Sequence, residues 1–302
     1  MARAGVALAG APLLFVLLWS TGFVGAKYGL PYAEPFTFLG LRLLLASALL
    51  AVLAVALRNP APRGRAHYGR SAGTGLLLHA GYLGGVFYGI DQGVPAGVAA
   101  VVVSLQPVLV AALATRLLDE QLVLLQWLGL AVGITGVVLV LAPGLVAADT
   151  GAAFPVAGLC ACLVALAAGT AGTIHHKRYG DGIPLLSGTA VQYAAAGLVL
   201  IALAAGTETM VIEWTAEFIA AFAWLVLALS LGAVLLLLVL LRRGSAAGVS
   251  TLFYLVPPAT AVEAYLLFGE QLAVLSLIGI VVTTVGVALV LRPPLRPARG
   301  RG

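Results

Sequence analysis

The sequence predicts an all-α integral membrane protein of ten transmembrane helices, built as two inverted five-helix repeats. Three observations lead there. The 302 residues are 62% hydrophobic and only 9% charged, whereas a soluble domain carries about 25% charged residues. So few charges cannot cover a water-facing surface, and the solvent of this chain is largely lipid. The stretch EQLVLLQWLGLAVGITGVVLVL, Glu120 to Leu141, returns 150 residues later as EQLAVLSLIGIVVTTVGVALVL, Glu270 to Leu291. The lysines and arginines, finally, sort to one side once ten spans are drawn.

Each span needs about 20 apolar residues. The first, 7–26, has the Arg and small residues of a signal peptide, but it matches the spans that follow and is expected as an uncleaved helix. The second, 36–57, leads into RNPAPRGRAHYGR, a basic joint suited to anionic lipid headgroups. The third, fourth and fifth are expected over 72–90, 95–115 and 122–142. The sixth, 154–174, holds Cys160 and Cys162, which cannot share a helix face or an ordinary disulfide geometry and read as packing residues. After it, His175, His176, Lys177 and Arg178 are expected in a solvated turn. The last four spans fall at 184–205, 216–241, 246–267 and 272–291. The apolar runs are continuous, not alternating, which favours helices over a barrel. The longest polar gap, Arg58 to Ser71, is too short for a soluble domain.

With the N-terminus cytoplasmic, the inside segments hold Arg3, Arg58, Arg63, Arg65, Arg70, Arg116, Lys177, Arg178, Arg242, Arg243, Arg292, Arg296, Arg299 and Arg301. Of the other basic residues, Lys27 falls outside and Arg42 within a span. Glu34, Asp91, Asp149, Glu208, Glu213, Glu217 and Glu270 gather on the opposite side. Both termini are therefore expected in the cytoplasm.

The similar stretches are the fifth and tenth spans, and each closes a unit of five: 7–142 and 154–291. Five is odd, so the second unit enters the membrane in the opposite sense, as in alternating-access transporters. Pro107 and Pro257 each stand thirteen residues before the repeated Glu-Gln-Leu. A proline removes a donor and frees a carbonyl. Interrupted helices in corresponding places point to a binding site between the units.

Together these features resemble the EamA-type permeases of the drug/metabolite transporter superfamily. The segment WSTGFVGAKYGLPYAEPFTFLGLRLLLA, Trp19 to Ala46, is similar to that family's first helix pair; SLQPVLVAALATRLLDEQL and LVPPATAVEAYLLFGEQL are similar to its fourth-helix ending, with Pro107 and Glu120, then Pro257 and Glu270. One departure is Asp119, where the second unit has Gly269. The resemblance implies an inner-membrane carrier, an exporter of amino acids or related metabolites, with no cofactor.

Polar groups in lipid cost roughly 2.5–3.5 kcal/mol for a central charge and should face a cavity or each other. Arg42 and Glu263 lie at similar depths, about 9 and 7 Å below the same face. They are expected as an outer gate or an anchor for a zwitterionic substrate, against a structural ion pair or snorkelling. Nearer the midplane, Trp19, His79, Tyr82, Gln106, Gln192, Tyr193 and Tyr254 suit a substrate with an apolar body and a few polar handles. His79 is the candidate for proton coupling, against a structural hydrogen-bonded role. Trp127, Trp214 and Trp224 read as interfacial anchors. Gly129 and Gly133, with Gly279 and Thr283, fit either contact between the fifth and tenth helices or a homodimer face.

The sequence has no phosphate-cradling loop and no metal-ligating motif. Its basic residues lie between apolar runs without aromatic interleaving, which excludes nucleic-acid binding. The expected partners are a small-molecule substrate and membrane lipids. The alternative function, a membrane-embedded enzyme acting on a lipid-linked substrate, would need acidic or histidine residues converging at one face.

Overall fold

The computed structural model describes residues 11–117, 123–146, 154–233, 236, 240 and 252–290. Asp119, Glu120, Asp149, Arg3, Arg242, Arg243 and the arginines from Arg292 onward lie outside the described residues, as do parts of the first, eighth and ninth expected spans. Among the described residues all elements are helical, apart from an isolated antiparallel bridge between Ala33 and Ile212.

In chain order, α1 is Ala11–Gly29, followed by a 3₁₀ turn, Leu30–Tyr32. Next come α2, Pro35–Ala56, and α3, which runs through Gly64–Gly75, a π-helical Leu76–Gly81 and Tyr82–Asp91. The α4 helix is broken into Ala96–Ser104 and Gln106–Leu117. Then follow α5, Leu124–Val146, α6, Val156–Tyr179, and α7, Leu185–Thr207. The α8 helix joins Ala216–Ala223 to a π-helical Trp224–Ala233. A 3₁₀ turn, Phe253–Leu255, opens α9, Val256–Phe268, and α10 is Val274–Val290.

Seven of the described helical stretches are long and apolar enough to cross a membrane: Ala11–Tyr32, Pro35–Ala56, Ala96–Leu113, Leu124–Pro143, Val156–Tyr179, Leu185–Thr207 and Ala216–Ala233. Two more, Phe253–Phe268 and Val274–Val290, are apolar but shorter. The third expected span is not among them: its stretch mixes glycines, His79 and tyrosines with the apolar residues, and α3 begins at Gly64, winding the polar RAHYGRS into its first turns. The basic joint therefore shrinks to 57–63. The second correction concerns His175 and His176. They sit in the last turn of α6, where the His175 ring packs 4.9 Å from Tyr179 and Nδ1 lies 3.0 Å from Thr74 Oγ1.

Both prolines lie close to helix interruptions. The α4 helix is interrupted at Leu105, two residues before Pro107, and Pro257 occupies the first turn of α9 directly after its 3₁₀ opening. Pro is tolerated there because first-turn N–H groups have no intrahelical acceptor.

Helix pairing is reciprocal, and the two most extensive pairs run antiparallel. The most extensive pair is α5 with α10, then α2 with α7. On the α5–α10 seam, a Cβ added to Gly279 would stand 2.6 Å from Gly136 O, and one added to Gly129 would stand 2.8 Å from Gly286 O. Only glycine permits this approach. Gln126 Nε2 donates to Val290 O at 2.8 Å, and Ser276 Oγ donates to Val140 O at 3.0 Å. Residues 150 apart thus exchange partners across the seam. The glycine stripe is consumed within the chain, so it supplies no dimer face. The same exchange governs other pairs: α3 packs on α6 and α7, α8 on α1 and α2, α4 on α6, and α9 on α1.

Candidate functional site

Between these helices lies a cavity of about 520 Å³. From the first half come Trp19 of α1, Arg42 of α2, His79 and Tyr82 of α3, and Gln106 with Pro107 of α4. From the second half come Thr173 of α6, Tyr193 of α7, Leu229 of α8, Tyr254 with Pro257 of α9, and Thr284 of α10. Both broken helices reach the wall with their prolines. Both π-helical segments reach it too, through His79 in one and Leu229 in the other. A π-helical turn adds one residue to the winding and re-aims the side chains that follow, a device frequent at functional sites.

Arg42 is 3% exposed. Its Nε and Nη2 each donate to Ser230 Oγ at 3.2 Å, and its guanidinium stands 5.9 Å from the Phe87 ring. His79 Nε2 lies 3.2 Å from the Gln192 side-chain amide at Oε1. Tyr193 meets the His79 ring edge-on at 4.7 Å. Gln106 Nε2 donates to Thr173 Oγ1 at 2.7 Å and Gly169 O at 3.1 Å. Trp19 packs against Phe15 and Phe253 at 5.2 and 5.0 Å. Tyr254 lines the wall, its buried hydroxyl without a partner among the described residues.

Two expected site residues fall elsewhere. Gln192 stands behind His79, outside the lining, and Tyr193 takes the cavity position. Glu263 is also outside the lining: its Oε1 accepts from Ser20 Oγ at 2.6 Å, and its buried Oε2 has no partner among the described residues. Arg42 and Glu263 therefore do not pair with each other, because α8 supplies the hydroxyl for Arg42 and α1 the hydroxyl for Glu263. Sequence reasoning missed Ser230, Thr173 and Thr284, since hydroxyls scattered through apolar runs give no signal.

The end of the molecule bearing Glu34 is closed. Phe38 is flanked by Phe87 and Phe218 at 5.5 and 5.2 Å, all three fully buried. Above them, Glu208 Oε1 accepts from Phe36 N and its Oε2 from Thr37 N and Thr37 Oγ1, each at 2.7 Å. In return Glu34 Oε2 accepts from Thr209 N, Thr209 Oγ1 and Met210 N at 2.6–3.1 Å. The Thr209 hydroxyl, with the N–H groups of Thr209 and Met210, holds the Glu34 carboxyl below its ordinary value against a smaller opposing effect of desolvation. Beside this latch, Lys27 pairs with Glu270, whose Oε1 also accepts from Ala96 N at 3.3 Å. Lys27, the outlier of the charge sorting, is thus neutralised by a carboxylate.

The chain matches the model of the EamA-like transporter family twice, over residues 4–142 and 156–292. This chain belongs to the EamA-like transporter family. Like its relatives, this EamA-like protein is a multi-pass membrane transporter of a small molecule, not an enzyme. It is 26% identical to the uncharacterized transporter YvbV of Bacillus subtilis, over 91% of this chain and 88% of that one. It is 26% identical to the uncharacterized inner membrane transporter YedA of Escherichia coli, over 94% and 90%. A probable amino-acid metabolite efflux pump of Salmonella typhimurium is 31% identical over 55% of this chain and 52% of its own. A crystal structure shares the fold at a TM-score of 0.63 and 18% identity, covering 92% of this chain and 94% of that one.

Proposed function

We propose that this EamA-like chain is a secondary carrier in the inner membrane. It exports an amino acid or a related compound by alternating access between two inverted five-helix repeats, 7–142 and 154–291, with both termini cytoplasmic. The observation that carries the reading is the cavity lined by both halves, enclosed by helix pairs in which residues 150 apart exchange partners. Two units related in this way have two equivalent arrangements, one open to each face. The candidate substrate-binding residues are Trp19, Arg42, His79, Tyr82, Gln106 and Tyr254, with Gln192 holding His79 and Glu263 bracing α1 against α9. Arg58, Arg63, Arg65 and Arg70 flank the face opposite Glu34, which makes that face cytoplasmic. The Glu34 face, tied by its carboxylates, is then the outer one.

The test is counterflow in proteoliposomes with a panel of amino acids and their derivatives at two pH gradients. Accumulation of labelled substrate against a preloaded lumen is expected for at least one member. No exchange by any member overturns the carrier. Proton coupling through His79 predicts a flux that follows the imposed pH gradient; a gradient-indifferent flux means that the substrate gradient alone drives transport. Crosslinking of the purified protein checks for a homodimer.

A further inference from the structure

We propose that the cavity selects organic monoanions, carboxylates with an apolar, ring-sized body and no ammonium group, and that Arg42 is their anchor. This rests on the carrier reading above and narrows its cargo to amino-acid relatives that lack the amine.

The cavity holds a cation and no anion. Arg42 lines it, and no Asp or Glu appears among the described residues around it. The described acids are occupied elsewhere or outside. Glu34 and Glu208 tie the closed face. Glu270 pairs with Lys27, and Glu263 faces Ser20 outside the lining. A guanidinium has five N–H donors in a planar fork. Here Ser230 Oγ takes two, at 3.2 Å each, and Nη1 has no hydrogen-bond partner among the described residues. A buried cation held by one shared hydroxyl is costly unless an anion arrives. A carboxylate matches the fork bidentately, and lipid-like surroundings strengthen that bond.

The rest of the wall fits an apolar body. Trp19, Phe23, Phe87, Phe253 and Tyr254 bring aromatic surface to a volume within the range for small-molecule sites. The remaining polar groups are neutral: His79 is engaged by Gln192, and Gln106 by Thr173. No carboxylate among the described residues there neutralises an ammonium. A zwitterion would bring its positive end into a cavity that already carries one positive charge, and an amine would bring nothing else. Arg42 lies one turn below Phe38 on the same face of α2, so an anion on Nη1 sits directly beneath the aromatic cluster that closes the outer end.

The experiment uses four probes of one size: 3-phenylpropionate, phenylalanine, 3-phenylpropionamide and phenethylamine, an anion, a zwitterion, a neutral amide and a cation. Thermal stabilisation of the purified full chain and counterflow in proteoliposomes are both read. The anion should stabilise and exchange at least about tenfold better than phenylalanine, since a factor of ten corresponds to only 1.4 kcal/mol, and phenethylamine should do neither. Arg42→Gln should erase the preference while a folded, monodisperse protein remains, and Arg42→Lys should keep part of it. Ser230→Ala, a milder change, frees the fork and should leave the anion preferred. Phenylalanine or phenethylamine equalling the anion in wild-type protein overturns the assignment. So does exchange of other solutes when the anion neither binds nor exchanges. Stabilisation by the anion with no counterflow of any solute upholds the anion site and overturns the carrier instead.

Discussion

The two ends of the molecule differ sharply in how their joints are tied. At the Glu34 end, the α1–α2 and α7–α8 joints trade carboxylates for backbone N–H groups, pair Ala33 with Ile212, and roof a buried aromatic cluster. At the opposite end, the α2–α3 joint meets the start of α7 through an exposed bond, Ser187 Oγ to Pro60 O at 2.7 Å, and Arg70 stands over Tyr179, with no carboxylate–backbone exchange among the described residues. These are corresponding joints, 150 residues apart and exchanged between the halves. Joints 150 residues apart therefore carry unequal fastenings. The difference teaches that the Glu34 end is fastened by acidic side chains at helix ends, a latch separate from the glycine seam.

The harshest way to break the comparison is to weld the latch. Antiparallel bridge partners stand about 4.5–5.5 Å apart at Cα, inside the disulfide range of about 4.4–6.8 Å. In a chain with Cys160 and Cys162 replaced by Ala, the pair Ala33→Cys and Ile212→Cys should reduce counterflow to background when oxidised and recover it with reductant. Undiminished exchange by the oxidised protein would mean that this face never needs to open.

A smaller effect is expected from Glu208→Ala. Removing the carboxylate from Phe36 N and Thr37 N forfeits an N-terminal cap worth about 0.5–2 kcal/mol. That weakens the closed state by up to about 30-fold, read as faster labelling of a cysteine at Thr37 from the outer side. Acid should act more gently through Glu34. Its carboxyl is held below 4.5 in the latch, so its contribution is complete above that value and is lost as pH falls through the lowered one. Outer-side labelling should therefore be flat from pH 8 to 5 and rise only below about pH 4.5, and Glu34→Gln should abolish that rise. Ser187→Ala should do least, changing the melting temperature and the inner-side labelling by no more than the loss of one exposed hydrogen bond allows, about 0.5–1 kcal/mol. A larger effect there would show that the Pro60 end is latched after all.

Much of the site was legible because a polar residue in lipid is conspicuous. Trp19, Arg42, His79, Tyr82, Gln106 and Tyr254 could be picked from apolar runs, and they converge on the cavity with both prolines. Their partners were not legible. Arg42 and Glu263 were matched by depth and sign, yet depth fixes only the height of a side chain and not the side of the helix it leaves from. The latch was hidden for a different reason. Glu34, Glu208 and Lys27 sit at helix ends, where charges are expected in any membrane protein, and nothing in their spacing says that they face one another.

By itself the sequence determined that lipid is the solvent and that the spanning elements are helices, because composition and apolar run length are local properties; the family came from the resemblance of its motifs. Only the tertiary structure decided which residues meet. Several helices, α6, α7 and α9 among them, are apolar all round, so periodicity does not say which face turns inward. Rotation about each helix axis is set by packing against neighbours, here by glycines admitting a carbonyl and by π-helical turns that shift the register. Those contacts gave Ser230 to Arg42, Ser20 to Glu263 and Glu270 to Lys27.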